Sequence, residues 1–157
     1  MQAFIRCTKD ARWLHGQRAL FCYSFGEVMD MYVKYNPNPA GRVVGDCSVR
    51  AISKALGIDW ETAYIELSMD GFAMADMPSS DSVWGAALRK NGFIRKNVPN
   101  ECPDCYTAEE FCRDHPKGVF VLEFGGHVAT VKDGNLYDSW DSSKEIPQFY
   151  WEERNGV

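Results

Sequence analysis

The chain predicts an α+β domain, because helical periodicity and strand periodicity occupy different halves of it. Between residues 47 and 92, apolar residues recur every three or four positions and the runs close at glycines. Beyond residue 92 the runs shorten, become rich in Val, Phe and Tyr, and are broken by turn formers. Asp133-Gly134, between two such runs, is a strong two-residue hairpin signal. The expected architecture is N-terminal helices packed on a C-terminal antiparallel sheet. A chain of 157 residues is long enough for one such domain with its own core.

The elements follow in order. Residues 1–30 hold Phe4, Ile5, Trp13 and Phe21 without a clean period and read as a leader or accessory segment. The compact domain is expected to span residues 31–157, since Met29 and Met31 stand directly before Tyr32-Val33-Lys34-Tyr35. A protein beginning at Met31 is expected to fold. Residues 36–42, with two prolines and a glycine, form a turn-rich stretch. Cys47 to Leu56 predicts a helix capped by Asp46 and stopped by Gly57, with Val49, Ile52 and Leu56 inward. Asp59 caps a second helix, from Trp60 to near Ser68, with Ala63, Tyr64 and Leu67 inward. Asp81 caps a third, burying Val83, Trp84, Ala87 and Leu88 and closing at Gly92.

A strand is expected over Phe93–Val98, then a cysteine-bearing loop over 99–106. Thr107-Ala108-Glu109-Glu110 is a capping box opening a short helix that Pro116 ends. Strands follow at Val119–Phe124, Val128–Lys132 and Leu136–Trp140, with Pro147–Trp151 as a last edge strand. Trp60, Trp84, Phe93, Phe111 and Phe120 occupy core-like positions.

Composition excludes several classes of function. Apolar content of 45% with 25% charged residues is ordinary for a globular protein. The net charge of −5 leaves no basic footprint, so no nucleic-acid partner is expected. The densest basic spots, Arg89-Lys90 and Arg95-Lys96, read as a solvated face. No apolar run approaches a membrane span, and Ala19–Tyr23 is too short for a secretory signal. No membrane partner and a cytoplasmic location are expected. In that reducing compartment six cysteines should be thiols, metal ligands or a nucleophile rather than disulfides.

The residues that carry chemistry are spread along the chain. Cys47 opens a helix, where unpaired amides and the helix dipole favour the thiolate. Its own amide can face a developing oxyanion. Gly45 just before it lets a substrate backbone approach closely. With the turn at Asp133-Gly134, Val131 pairs with Leu136, Ala129 with Asp138 and His127 with Trp140. His127 and Asp138 are then diagonal neighbours on one face, about 7–8 Å apart at the backbone. That geometry suits a histidine base oriented by a carboxylate, with Trp140 shielding the pair from water. Asp141 falls on the other face.

Gly45-Asp46-Cys47 opening a helix, Gly126-His127-Val128-Ala129 and Asp138-Ser139-Trp140 together resemble the papain-like cysteine peptidase superfamily. More closely, residues 36 to 151 resemble small papain-like proteins of phages and prophages of gut bacteria. These carry a Gly-Asp-Cys-x-x-Arg-Ala-Ile segment, here Gly45 to Ile52, and a Tyr-Asp-x-Trp-Asp segment, here Tyr137 to Asp141. The resemblance implies a papain-like fold and a Cys47, His127, Asp138 triad. It implies a cysteine hydrolase acting on an amide or isopeptide bond of a protein or peptide, without a cofactor. It does not imply a particular substrate. The family's glutamine ahead of the nucleophile has no counterpart here after Gln17. Asn38 and Asn36 are the nearest amides, and both read as turn formers. This departure keeps a second expectation open, a non-catalytic papain-like module that binds a host protein.

A second cluster has the form Cys102-x2-Cys105-x6-Cys112-x2-His115. Paired doublets of this kind suit tetrahedral zinc, but the middle spacing is short and Cys112 follows Phe111 on a core face. The expectation is a buried thiol and a loop pair, with no metal.

Overall fold

Helices form here where one face of the sequence is apolar and strands where alternate residues are, and the two sets meet at one sheet. The computed structural model describes residues 31–98 and 105–154. The elements are β1 (Tyr32–Lys34), α1 (Cys47–Leu56), α2 (Trp60–Met74), α3 (Asp81–Lys90), β2 (Phe93–Asn97), α4 (Ala108–Asp114), β3 (Val119–Glu123), β4 (Val128–Lys132), β5 (Asn135–Asp138) and β6 (Phe149–Glu153). The fold class is α+β. The residue 1–30 leader and Cys102 lie outside the described residues, as do positions 99–104 of the loop.

The sheet order is β1-β5-β4-β3-β6-β2. Two expectations about it are corrected. The sheet is mixed rather than wholly antiparallel, because Tyr32–Lys34 pairs parallel to β5. Three residues carry no readable period, and their partner lies about a hundred residues away in sequence, so nothing local announces the strand. The last strand is not an edge: β6 lies between β3 and β2 and pairs antiparallel with both. β1 and β2 form the two edges.

The faces of the sheet differ. Val121, Val128, Phe149 and Trp151 pack against Val49 and Ile52 of α1, Leu67 of α2 and Trp84 of α3. On the opposite face Phe120, Leu122, Ala129, Val131 and Leu136 pack with Phe111 and Cys112 of α4. Helices therefore cover both sides, three on one and the short α4 on the other. No helix among the described residues is long and apolar enough to cross a membrane.

Local chemistry explains the helix boundaries. α1 begins at Cys47 and ends at Gly57, which takes a left-handed φ of +68° and donates its N–H to Ser53 O. Asp59 caps α2 by accepting from Thr62 N at 2.7 Å. α2 runs past Ser68 to Met74, six residues beyond the expected end. Gly71 does not stop it: a Cβ there would stand 2.8 Å from Asp76 O, so the glycine admits the returning chain. Tyr64 is exposed rather than inward and stacks on Trp60 at 4.9 Å. α3 takes Ser80, not Asp81, at its cap position. Thr107 and Glu110 form both halves of the capping box on α4.

The β4–β5 turn has the expected residues at its tip. Lys132 faces Asn135, and Asp133 and Gly134 have φ of +50° and +75°, the signs of a type I′ turn. A side chain at Gly134 would meet a strained φ, while its nearest neighbour, Pro116 Cα at 3.4 Å, is at ordinary contact distance. Gly134→Ala should therefore lower stability by about 1–2 kcal/mol. Urea unfolding should show this as a lower midpoint at unchanged m-value.

Candidate active site

α1 is set on the sheet by buried polar ties as well as by apolar packing. Thr130 of β4 donates its hydroxyl to Ala51 O at 2.9 Å in the interior. Tyr35, just after β1, shares a hydrogen bond of 3.1 Å with Ser53. These ties bring the first residue of the helix, Cys47, beside the start of β4.

His127 precedes β4 by one residue rather than lying within it, at the close of the β3–β4 connection. That connection is built by Glu123. Its buried carboxylate accepts from Gly125 N at 2.6 Å and Gly126 N at 2.8 Å, while Phe124 N donates to His127 O. Gly125 and Gly126 have φ of +80° and +105°, which glycine adopts without steric cost. The turn fixes the backbone from which the imidazole projects.

His127 Nε2 and Asp138 Oδ2 are 2.6 Å apart. That leaves Nδ1 to face Cys47, whose sulfur is near enough to the His127 side chain and the Val128 backbone for both to lower its pKa. The imidazole lies between a thiol and a carboxylate. Asp138 is almost fully buried and further held by Ser142 Oγ at 2.7 Å and Ser139 N at 2.7 Å. Asp141 is exposed and accepts from Ser143 N, away from the imidazole. Phe124 and Trp140 flank His127, with ring centroids 5.9 and 5.2 Å from it. Trp140 is half exposed, so it forms part of the rim. Gly45 is exposed, with no atom within 4 Å of where a Cβ would sit, so the surface beside Cys47 is open.

Two contributors were not assigned from the sequence. Arg50 is 5% exposed, ion-pairs with Asp46 and stands 3.8 Å from Asp138 Oδ1. Asp46 was expected to cap α1, but its side chain makes no capping bond. It holds Arg50 instead, and accepts from Trp60 Nε1 at 2.9 Å. The first-turn amides of α1 consequently lack a side-chain acceptor beside the sulfur. The sequence signal was the i,i+4 spacing of Asp46 and Arg50. Glu123 gave no signal, since a strand-end glutamate is usually solvated.

The electrostatics follow from these contacts. Burial pushes the Cys47 thiol up, but the hydrogen bonds of His127 and Val128 and the charges of His127 and Arg50 outweigh it, and its pKa falls below the ordinary value. Burial pushes His127 down, but its bonds to Asp138 and Cys47 and their charges dominate, raising it to about 9. The two shifts run in opposite senses, and both favour the thiolate–imidazolium form of the pair. Cys112 goes the other way: burial, then Glu109, pushes it up to about 12.

The remaining candidates are placed elsewhere. Asn36 donates to Arg42 O at 3.2 Å, and Asn38 accepts from Ala40 N at 3.0 Å, so both build the 36–42 turn. Cys112 is buried under the sheet, His115 stacks on Phe111 at 3.9 Å, and Cys105 is exposed. Among the described residues no three His, Cys, Asp or Glu side chains gather as a metal site.

No family model, curated protein or solved structure matches the chain.

Two outcomes follow from the geometry. Iodoacetamide alkylation of Cys47 should rise with pH through an inflection below the roughly 8.5 of a free thiol. His127→Ala should move that inflection upward, because the groups that outweigh burial are then reduced. Arg50→Ala leaves Asp46 buried without its cation, and should cost roughly 3–5 kcal/mol in urea unfolding.

Proposed function

We propose that the chain is a papain-like cysteine hydrolase that cleaves an amide or isopeptide bond in a protein or peptide. The observation that carries this reading is the line Cys47–His127–Asp138, with the sulfur at a helix N-terminus and the carboxylate buried. A cytoplasmic setting suits its unpaired thiols.

The Cys47 thiolate attacks the carbonyl carbon, and the oxyanion faces the first-turn amides of α1. The C–N bond breaks as the His127 imidazolium gives its proton to the leaving amine, and a thioester remains. Water then attacks the thioester carbon, His127 takes the water proton, and the acid leaves as the sulfur is released. Asp138 orients the imidazole and stabilises its cation in both halves. Deamidation of a side-chain amide uses the same steps, and acyl transfer replaces water with an amine.

A specific observation favours a second reading, a non-catalytic module that engages a host protein. Asn36 and Asn38 are both held in a turn, so neither supplies the side-chain oxyanion donor that papain relatives have. A peptidyl vinyl sulfone distinguishes the two. The enzyme reading expects labelling of Cys47 that is lost in His127→Ala, together with turnover of a fluorogenic peptide or isopeptide library. Stoichiometric binding of a folded protein with neither labelling nor turnover would establish the module instead.

The carboxylate assignment has its own test. Once a turnover assay exists, Asp138→Ala should lower kcat by at least about a hundredfold, since the imidazole loses both orientation and cation stabilisation. Asp141→Ala should leave kcat within about twofold, and circular dichroism would check that both variants fold.

A further inference from the structure

Two arginines that read as a solvated face in the sequence meet a third at a cavity. Arg89 at the end of α3, Arg95 on β2 and Arg154 just past β6 line a space of about 370 Å³ together with Phe93, Ile94 and Trp151. This lies within the roughly 300–1,000 Å³ of small-ligand sites. It also lies apart from Cys47. The proposed active site stands over β4 and β5, whereas this cavity stands over β6 and β2, with β3 between the two pairs.

The charge at this cavity is uncompensated. Among the described residues none of the three guanidiniums pairs with a carboxylate, although the chain has 22 acidic residues against 17 basic ones. The neighbouring acids are otherwise engaged or turned out. Glu152 pairs with Lys96, and Glu153, opposite Phe93 in the register, is exposed. The cations are held by aromatic faces instead. Arg95 lies 3.8 Å over the Phe149 ring and Arg89 lies 5.4 Å over Trp151. A guanidinium stacked in this way keeps its N–H edges for an oxyanion. The Arg154 backbone is held at the same corner by its amide N–H, which donates to Gly92 O at 3.2 Å.

We propose that this cavity is a binding site for a small phosphate monoester with an apolar or aromatic body. Three permanent cations suit a dianionic head, and guanidiniums match phosphate oxygens in bidentate fashion. Phe93, Ile94 and Trp151 receive the body. The site is independent of the chemistry at Cys47.

Phenyl phosphate is the probe, titrated calorimetrically into the full chain, with inorganic phosphate and benzoate as comparison ligands. The expected result is saturable binding at one site per chain, at least tenfold tighter than either comparison ligand and weakened by salt. Arg95→Gln and Arg154→Gln should each weaken it at least tenfold, with thermal melts checking that both variants fold. Cys47→Ala should leave it unchanged. Absence of saturable binding overturns the proposal, as does binding that both arginine variants leave intact. Benzoate binding as tightly as phenyl phosphate overturns the phosphate assignment. Loss of binding in Cys47→Ala would move the ligand to the other site and equally refute it.

Discussion

The buried guanidinium of Arg50 is the charge on which the arrangement around Cys47 depends. Arginine is rarely buried unless paired, and here it lies between two carboxylates that are themselves buried, Asp46 and Asp138. Remove the cation and Asp46 keeps only the Trp60 N–H, while Asp138 keeps His127, Ser139 and Ser142. With it in place, Asp46 can leave the helix cap and still find partners. One side chain on α1 thus links the helix carrying the sulfur to the strand carrying the carboxylate. Its reach is short, so the helix cannot slide along the sheet without breaking the network. Thr130 of β4, which donates to Ala51 O, ties the same helix to the neighbouring strand.

The imidazole is held from three directions. Glu123 ties the two glycines before it, Asp138 takes Nε2, and Phe124 and Trp140 lie against the ring. A histidine fixed in this way loses little rotamer freedom when it changes charge. Its neighbours also set the direction of that change. Asp138 favours the imidazolium, the imidazolium and Arg50 favour the thiolate, and both effects exceed the desolvation that opposes them. Cys112 is the internal contrast. It is a thiol on the opposite face of the sheet with a carboxylate rather than a cation near it, and its pKa rises. The same residue type is pushed toward the thiol in one place, chiefly by burial, and toward the thiolate in the other by its polar and charged neighbours.

The two clusters of charge divide the sheet. Around β4 and β5, Arg50 is buried and neutralised by acids, as a structural cation must be. Around β6 and β2, Arg89 and Arg95 stay open and rest on rings instead of carboxylates. Neither pattern is visible in net charge, since it depends on which strands are neighbours.

Local signals were legible where they act within a few residues. The bounds of α1, the Asp59 cap, the Thr107–Glu110 capping box and the Asp133-Gly134 turn all depend on contacts close in sequence, and composition alone implies them. The β4–β5 register belongs with them, because a two-residue turn fixes the register of the strands it joins, whereas His127 stands before β4 and is placed by the turn that Glu123 holds. The parallel β1–β5 pairing, the interior place of β6, the outward turn of Tyr64 and the continuation of α2 past Gly71 were not legible. Each is decided by a partner far along the chain or by a close approach of backbone. The same holds for Asp46, whose capping role is local and therefore predictable, until a buried arginine and an indole N–H compete for its oxygens. What the sequence alone determined was which residues are able to do chemistry and which segments present them. Which charges stand beside Cys47 and His127, and hence their protonation, was decided only by tertiary packing, because charge–charge interaction depends on distance through space rather than along the chain.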